Sequence, residues 1–256
     1  MKALLLLALP LVSAYVLPLE TNNSDGGRIY TLPYSDANAR KKMLFAAADK
    51  VILVVFRGTT GNAQLVLEGL GTVFEYHTPW VAGGVVSQYF NDGFMNIWNA
   101  GLKDDFNALA SKYPGYQVWI TGHSLGGAMA SLAASYITYN KMYDSAKLQL
   151  VTFGQPRVGD VAYAQSVDRD VPNGFRVTHA HDPVPHLPKE NKQGFTHHKA
   201  EVFYKEKMTK YHICDDVDES ALCSDGQVLP DTSFKDHDNY FDHNVSDLGE
   251  SNCAKV

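Results

Sequence analysis

Gly122-His123-Ser124-Leu125-Gly126 has the form G-x-S-x-G, and its serine could do nucleophilic chemistry. A serine hydroxyl is a weak nucleophile at its ordinary pKa. It needs a base to take its proton, and the base needs an acid to fix its tautomer and stabilise the imidazolium that forms. The pentapeptide serves that chemistry when it makes a sharp strand-to-helix turn with the serine at its tip. The competing reading is a buried turn serine that caps the following helix. The flanks favour the first reading. An apolar run over 116–120 predicts a short buried strand, and the small-residue segment 126–139 predicts a helix.

Both partners are sought downstream, in the order serine, acid, histidine that goes with this kind of elbow. Asp182 is the best acid candidate. It lies just past a predicted strand at 174–179, where open α/β sheets place reactive groups, and Pro183 and Pro185 stiffen its loop. Asp160, Asp168, Asp170, Asp215, Asp216, Asp218 and Asp225 read as solvated or turn residues. Among the histidines that follow, His186 belongs to the Asp182 loop, and His197 and His198 open a strand and read as structural; His212 also follows. His237 and His243 sit in the late loop region, where a mobile base is usually presented, and spacing alone does not choose between them. An oxyanion needs two donors. The Leu125 N–H is one. The turn after an early strand offers Thr59 as the other, against the plainer reading of an ordinary polar turn. His179, His181, His197 and His198 lack zinc-site spacing, so no metal and no cofactor is expected.

Positioning these groups takes a particular scaffold. The run 51–56 is continuously apolar and β-branched, the pattern of a strand buried on both faces. Further strands are predicted at 148–153, 174–179 and 201–204, the last clear one, with 205–234 loop-like. Helices are predicted around 34–47, over 95–112 as one amphipathic element, and near 160–166. Strands alternating with helices argue for α/β architecture with a mostly parallel central sheet flanked by helices, in a single domain over 15–256.

The first fourteen residues read differently. Lys2, an apolar 3–12 and Val12-Ser13-Ala14 form the pattern of a secretory signal peptide, so a secreted, extracellular protein is expected, starting at Tyr15 with a polar arm over 15–30. No later run is long and apolar enough for an integral membrane segment. The formal net charge of −6 comes without basic clusters, which argues against nucleic acid as a partner. In a secreted chain Cys214 and Cys223, around a short acidic loop, suit a disulfide, and Cys253 is left over, free or paired between molecules. Asn22 and Asn244 head glycosylation sequons.

Five stretches in order carry a resemblance: V-F-R-G-T (55–59), T-G-H-S-L-G-G-A (121–128), T-F-G-Q-P-R-V-G (152–159), H-D-P-V-P-H-L-P (181–188) and D-H-x-x-Y-F (236–241). From about residue 30 onward the chain closely resembles the class 3 lipases, the fungal-type triacylglycerol lipases. The resemblance implies an α/β-hydrolase fold with a short lid over the active site. It implies Ser124 as nucleophile, Asp182 as acid, His237 rather than His243 as base, Thr59 and Leu125 as the oxyanion hole, and a lid over about 61–70. It also implies the Cys214–Cys223 disulfide. Two departures stand out. Asn91-Asp92-Gly93-Phe94 replaces a His-x-Gly-Phe stretch, with Asn91 a substitute for a structural hydrogen bond. Cys253 lacks the N-terminal cysteine partner that fungal members commonly have.

The expected activity is hydrolysis of triacylglycerol esters through an acyl-enzyme. Leu65, Val66, Leu67 and Leu70 lie within the lid stretch. Each is worth about 1.5–3 kcal/mol when fully buried, so a lid that opens is best covered by lipid, and the expected partner is a lipid ester at an oil–water or membrane interface. The alternatives are a phospholipase A1, a general carboxylesterase, or a catalytically silent secreted lipid-binding protein. Oligomeric state is not legible.

Overall fold

The computed structural model describes residues 50–58, 73–189, 194–205, 207–215, 219–227 and 232–250, with 14–19 and 248–250 described as backbone only. Residues 1–13 of the expected signal segment 1–14, the helix at 34–47, Asn22, Thr59, the lid stretch 61–70 and Cys253 lie outside the described residues.

In chain order the elements are β1 (Ala14–Leu19), β2 (Val51–Phe56), β3 (His77–Pro79), β4 (Val85–Ser87), α1 (Gln88–Ile97), α2 (Lys103–Lys112), β5 (Gln117–His123), α3 (Leu125–Tyr139), β6 (Leu148–Phe153), β7 (Gly159–Asp160), α4 (Val161–Asp170), β8 (Gly174–His179), β9 (Phe195–Thr196), β10 (Glu201–Tyr204), β11 (Tyr211–Cys214), α5 (Phe234–Asp238), β12 (Asn239–Tyr240), β13 (His243–Asn244) and α6 (Val245–Glu250). The main sheet has seven strands in the order β1-β2-β5-β6-β8-β10-β11. The five inner strands are parallel, and β1 and β11 run antiparallel at the two edges. Side chains of alternating direction explain why the inner strands carry apolar residues toward both faces. Ile52, Val54, Val118, Ile120, Leu148 and Leu150 join the core that includes α1 and α3, whereas Val151, Phe153, Val177 and Val202 pack with Tyr240 and Phe241 on the other face. The sheet is mostly parallel and flanked by helices, the arrangement expected of an α/β-hydrolase.

Several expectations need correction. Residues 14–19 form an edge strand rather than a polar arm, and Pro18 is tolerated there because an edge can spare a donor. The predicted helix 95–112 begins earlier and is broken. Ser87 caps its start at the Phe90 N–H, and Gly101, with φ 135°, divides α1 from α2 in a wide turn. Burial of Phe90 and Phe94 against α3 outweighs the breaker-like Asn91-Asp92-Gly93. The region 205–234 is not all loop, because β11 pairs with β10.

Candidate active site

The elbow is set by sterics. Ser124 has φ 56° and ψ −126°, a region that residues with a Cβ rarely occupy. Its N–H donates to the Phe153 carbonyl (2.9 Å), and its own carbonyl accepts from the Gly127 N–H (2.9 Å), which ties the turn to both β6 and α3. The flanking glycines leave room for it: a Cβ on Gly122 would lie 2.2 Å from the Gly126 carbonyl oxygen, and one on Gly126 would lie 2.1 Å from the Phe56 carbonyl oxygen. Ser124 does not cap α3 through its side chain, so the plain capping reading fails. Leu125 opens the fifteen-residue α3 directly after Ser124, at the positive end of its dipole. Gly58 closes in from β2: a Cβ there would sit 2.7 Å from the His123 carbonyl oxygen.

Asp182 follows β8, and His237 sits on α5. Both are buried, at 2% exposure each. The His237 Nδ1–H donates to both carboxylate oxygens of Asp182, each at 2.9 Å. The carboxylate also accepts from the Val184 N–H (2.9 Å) and from the Tyr240 hydroxyl (3.0 Å). Burial alone would push the Asp182 carboxyl up. The neighbouring His237, with its hydrogen bond and that of the Val184 N–H, outweighs it and holds the group below its usual value, so it is ionised. The same burial, with the adjacent carboxylate, drives the Tyr240 hydroxyl well above its usual range, so it stays a donor. Asp236 joins the two loops. Its carboxylate accepts from the His181 N–H (3.1 Å), while the Ser233 N–H donates to the His181 carbonyl (2.9 Å).

Ser124 and the Asp182–His237 pair are neighbours through two bridges. Gly154, which follows β6, lies between the strands that end at Ser124 and near Asp182. Its hypothetical Cβ would lie 2.8 Å from an Asp182 oxygen and 2.9 Å from His237 Nδ1. His123, next to Ser124, holds its ring over that of His237, with centroids 4.5 Å apart. The structure thus gathers Ser124, Leu125, Asp182 and His237 at one end of the sheet. His243 is elsewhere, on β13 opposite Tyr240.

The other candidates have structural roles. His186 pairs with Asp225 (3.8 Å), and Arg157 holds Glu219 through two nitrogens. His212 lies on the exposed part of β11. Asp160 caps α4, and Asp168 accepts from the Lys199 N–H (2.8 Å), so Asp168 and Asp225 are not simply solvated. Among the described residues the Asn91 side chain donates to the adjacent Asp92 (3.1 Å), a local bond. Cys214 and Cys223 are disulfide-bonded, with Cα atoms 6.4 Å apart. Asn244 accepts from the Asp247 N–H (2.9 Å) at the start of α6. Among the described residues no group of three His, Cys, Asp or Glu could hold a metal, and no helix is long and apolar enough to cross a membrane. Sequence reasoning missed Gly154, Tyr240 and Asp236 as parts of the site. The first lies in the T-F-G-Q-P stretch and the other two in D-H-x-x-Y-F, but pentapeptide chemistry alone assigns them no task.

His197 and His198 are buried and donate to the carbonyls of Pro185 and Lys199 (2.7 Å each). Burial first, and Arg176 second, lower both; His198 falls to about 3. The sign of the resulting pH dependence follows directly. The native imidazoles stay neutral while unfolded ones bind protons near pH 6.5, so below that value the unfolded state holds more protons and stability falls with pH. Each such group contributes a slope of up to about 1.4 kcal/mol per pH unit. The thermal midpoint should drop progressively from pH 6.5 to 4.5, and His198→Asn should flatten the slope by about one group's share. A midpoint independent of pH across that window would refute it. Asp182 adds its own loss only at lower pH, as its carboxylate protonates.

The description "Lipase (class 3)" matches residues 53–192, more than half of the chain. The chain belongs to the class 3 lipase family. It is 36% identical over 232 residues to Lipase ZK262.3 of Caenorhabditis elegans, covering 79% of this chain and 65% of that protein. Its structure is similar to the lipase from Rhizopus microsporus var. chinensis, with a TM-score of 0.69 and 33% identity over 78% of this chain and 68% of that one. It is also similar to a triacylglycerol lipase whose catalytic centre is formed by a serine protease triad, with a TM-score of 0.67 and 32% identity over 77% and 73% of the two chains. The chain spans about half to two thirds of the length of the curated relatives it matches.

Proposed function

We propose that this class 3 lipase family member is a secreted serine lipase that hydrolyses triacylglycerol ester bonds through an acyl-enzyme on Ser124. The observation that carries the reading is the buried Asp182–His237 pair beside a strained serine elbow. His237 is held to Asp182 through Nδ1, so in the neutral imidazole Nε2 carries the lone pair that accepts a proton. In the mechanism His237 takes the Ser124 proton as the hydroxyl attacks the ester carbonyl. Asp182 stabilises the imidazolium, and the N–H groups of Leu125 and Thr59, with the Thr59 hydroxyl, receive the oxyanion. His237 then gives its proton to the leaving alcohol, and water, activated by the same base, clears the acyl group from Ser124. The apolar residues Leu65, Val66, Leu67 and Leu70 support a lid that opens at a lipid surface. The 1–14 pattern and the Cys214–Cys223 disulfide support secretion, and cleavage after Ala14 would leave most of β1 in place.

A substrate panel tests this on the purified chain. Activity on emulsified long-chain triglyceride should rise sharply above the substrate's solubility limit and exceed that on a soluble short-chain ester. Phospholipid preferred over triglyceride would make it a phospholipase A1, and no gain above the solubility limit would make it a general carboxylesterase. A serine-directed phosphonate should label Ser124. Absence of labelling would leave a silent lipid-binding protein.

A further inference from the structure

His123 is spoken for by none of the steps above, yet it touches the base twice. Its Nε2 lies 2.7 Å from the main-chain carbonyl oxygen of His237. A carbonyl can only accept, so Nε2 carries the proton. The ring is neutral, because burial first and the adjacent His237 second lower its pKa to about 3. Nδ1 is therefore bare. The ring also lies over the His237 ring at 4.5 Å and 34°, and the Tyr240 ring meets it edge-on at 5.7 Å.

We propose that His123 is a positioning residue for the base, holding His237 by its main-chain carbonyl and by one ring face while Asp182 holds Nδ1–H. The inference rests on reading Ser124 and His237 as nucleophile and base. Its physical logic is one of restraint. Asp182 fixes the imidazole at a single nitrogen, which leaves rotation and tilt about that bond. A second hold on the backbone and a covered face remove much of that freedom. The charge state matters as well. When His237 becomes an imidazolium, a neutral aromatic face beside it is attractive, whereas a second cation would repel it. The chain connects the restraint to the nucleophile, since His123 is bonded to Ser124 and ends the strand that presents it.

The test uses the purified full chain with a soluble ester. His123→Ala should lower kcat about 10–100-fold with KM within about twofold, the loss expected from misplacing a reacting group rather than from weakened binding. His123→Gln, whose amide N–H can reach the same carbonyl, should recover to within about fivefold of the original kcat. An alanine variant with unchanged kcat, or a glutamine variant as slow as alanine at equal folded fraction, would overturn the proposal. Nitrogen NMR of the unmodified protein at pH 7 provides a check that does not depend on a variant folding. A neutral Nε2–H tautomer is expected for His123, and an Nδ1–H tautomer or an imidazolium would overturn it. Phosphonate labelling separates the two levels. If Ser124 of the unmodified chain is not labelled, the reading of the site fails and this inference with it. If it is labelled while His123→Ala keeps full kcat, only the role of His123 fails.

Discussion

Ser124→Ala is expected to lower ester hydrolysis by about 10⁵–10⁶-fold, because removing a nucleophile leaves only what the oxyanion donors and substrate binding supply. The more telling comparison is with Ser124→Gly. Ser124 sits at φ 56° and ψ −126° because β5 must turn directly into α3 there. That conformation costs a residue with a Cβ about 1–3 kcal/mol, and alanine has the same Cβ. Glycine is free of that strain but loses about 0.5–1 kcal/mol more than alanine through its greater freedom when unfolded. The strain relief wins. The glycine variant should be as inactive as alanine yet more stable by about 1 kcal/mol, or about 2–4 °C in thermal midpoint for a chain of this size. Activity retained in Ser124→Ala would sink the assignment of the nucleophile. A glycine variant no more stable than alanine would show that the elbow stores no strain.

The contrast between what was legible in the sequence and what was not has a physical basis. The run 51–56 is readable because a strand buried on both faces leaves no polar alternation, and 148–153, 174–179 and 201–204 are readable from short runs of β-branched and aromatic residues; each matches its observed bounds. Ser124 and Asp182 are readable because each follows such a strand. The candidate base is harder: His237 and His243 differ only in which tertiary partner they meet, and spacing cannot show that. The small sheet β3-β4-β7-β9 has strands of two or three residues, too short for any periodicity to register. Strand β11 is exposed over Tyr211 to Ile213 and exists because it can pair with the edge of β10. The helix break at Gly101 is hidden because Trp98, Leu102 and Phe106 keep one apolar pattern on both sides of it.

The parts of the site that sequence could not supply share a feature: they act on residues far away in the chain. Tyr240 restrains a carboxylate fifty-eight positions earlier, and His123 contacts a carbonyl 114 positions later. A motif records that such residues are present but not what they touch. Their roles follow from strand order. Because β6 lies between β5 and β8, whatever follows β6 must pass between Ser124 and the Asp182–His237 pair.

That residue is Gly154, and Gly154→Ala should cost about 10²-fold or more in kcat. Two effects act together. The backbone is at φ 55°, where a Cβ is disfavoured by about 1–2 kcal/mol. The new methyl carbon would also sit 2.8 Å from an Asp182 oxygen, 2.9 Å from His237 Nδ1 and 3.0 Å from His237 Cε1, all well inside contact distance. The groups it meets have little room to give way. Asp182 is held by the Val184 N–H and the Tyr240 hydroxyl as well as by His237. The clash is therefore relieved by moving the imidazole, the group whose placement the proposed chemistry depends on most. Gly115→Ala is the matched control. It has φ 89° and nothing within 4 Å of its added Cβ, so it shares the backbone penalty without the contact. Both variants should lose stability, but only Gly154→Ala should lose turnover and react slowly with the phosphonate at equal folded fraction. If Gly154→Ala turned over ester as fast as Gly115→Ala, the base would not be held where the residue after β6 can displace it.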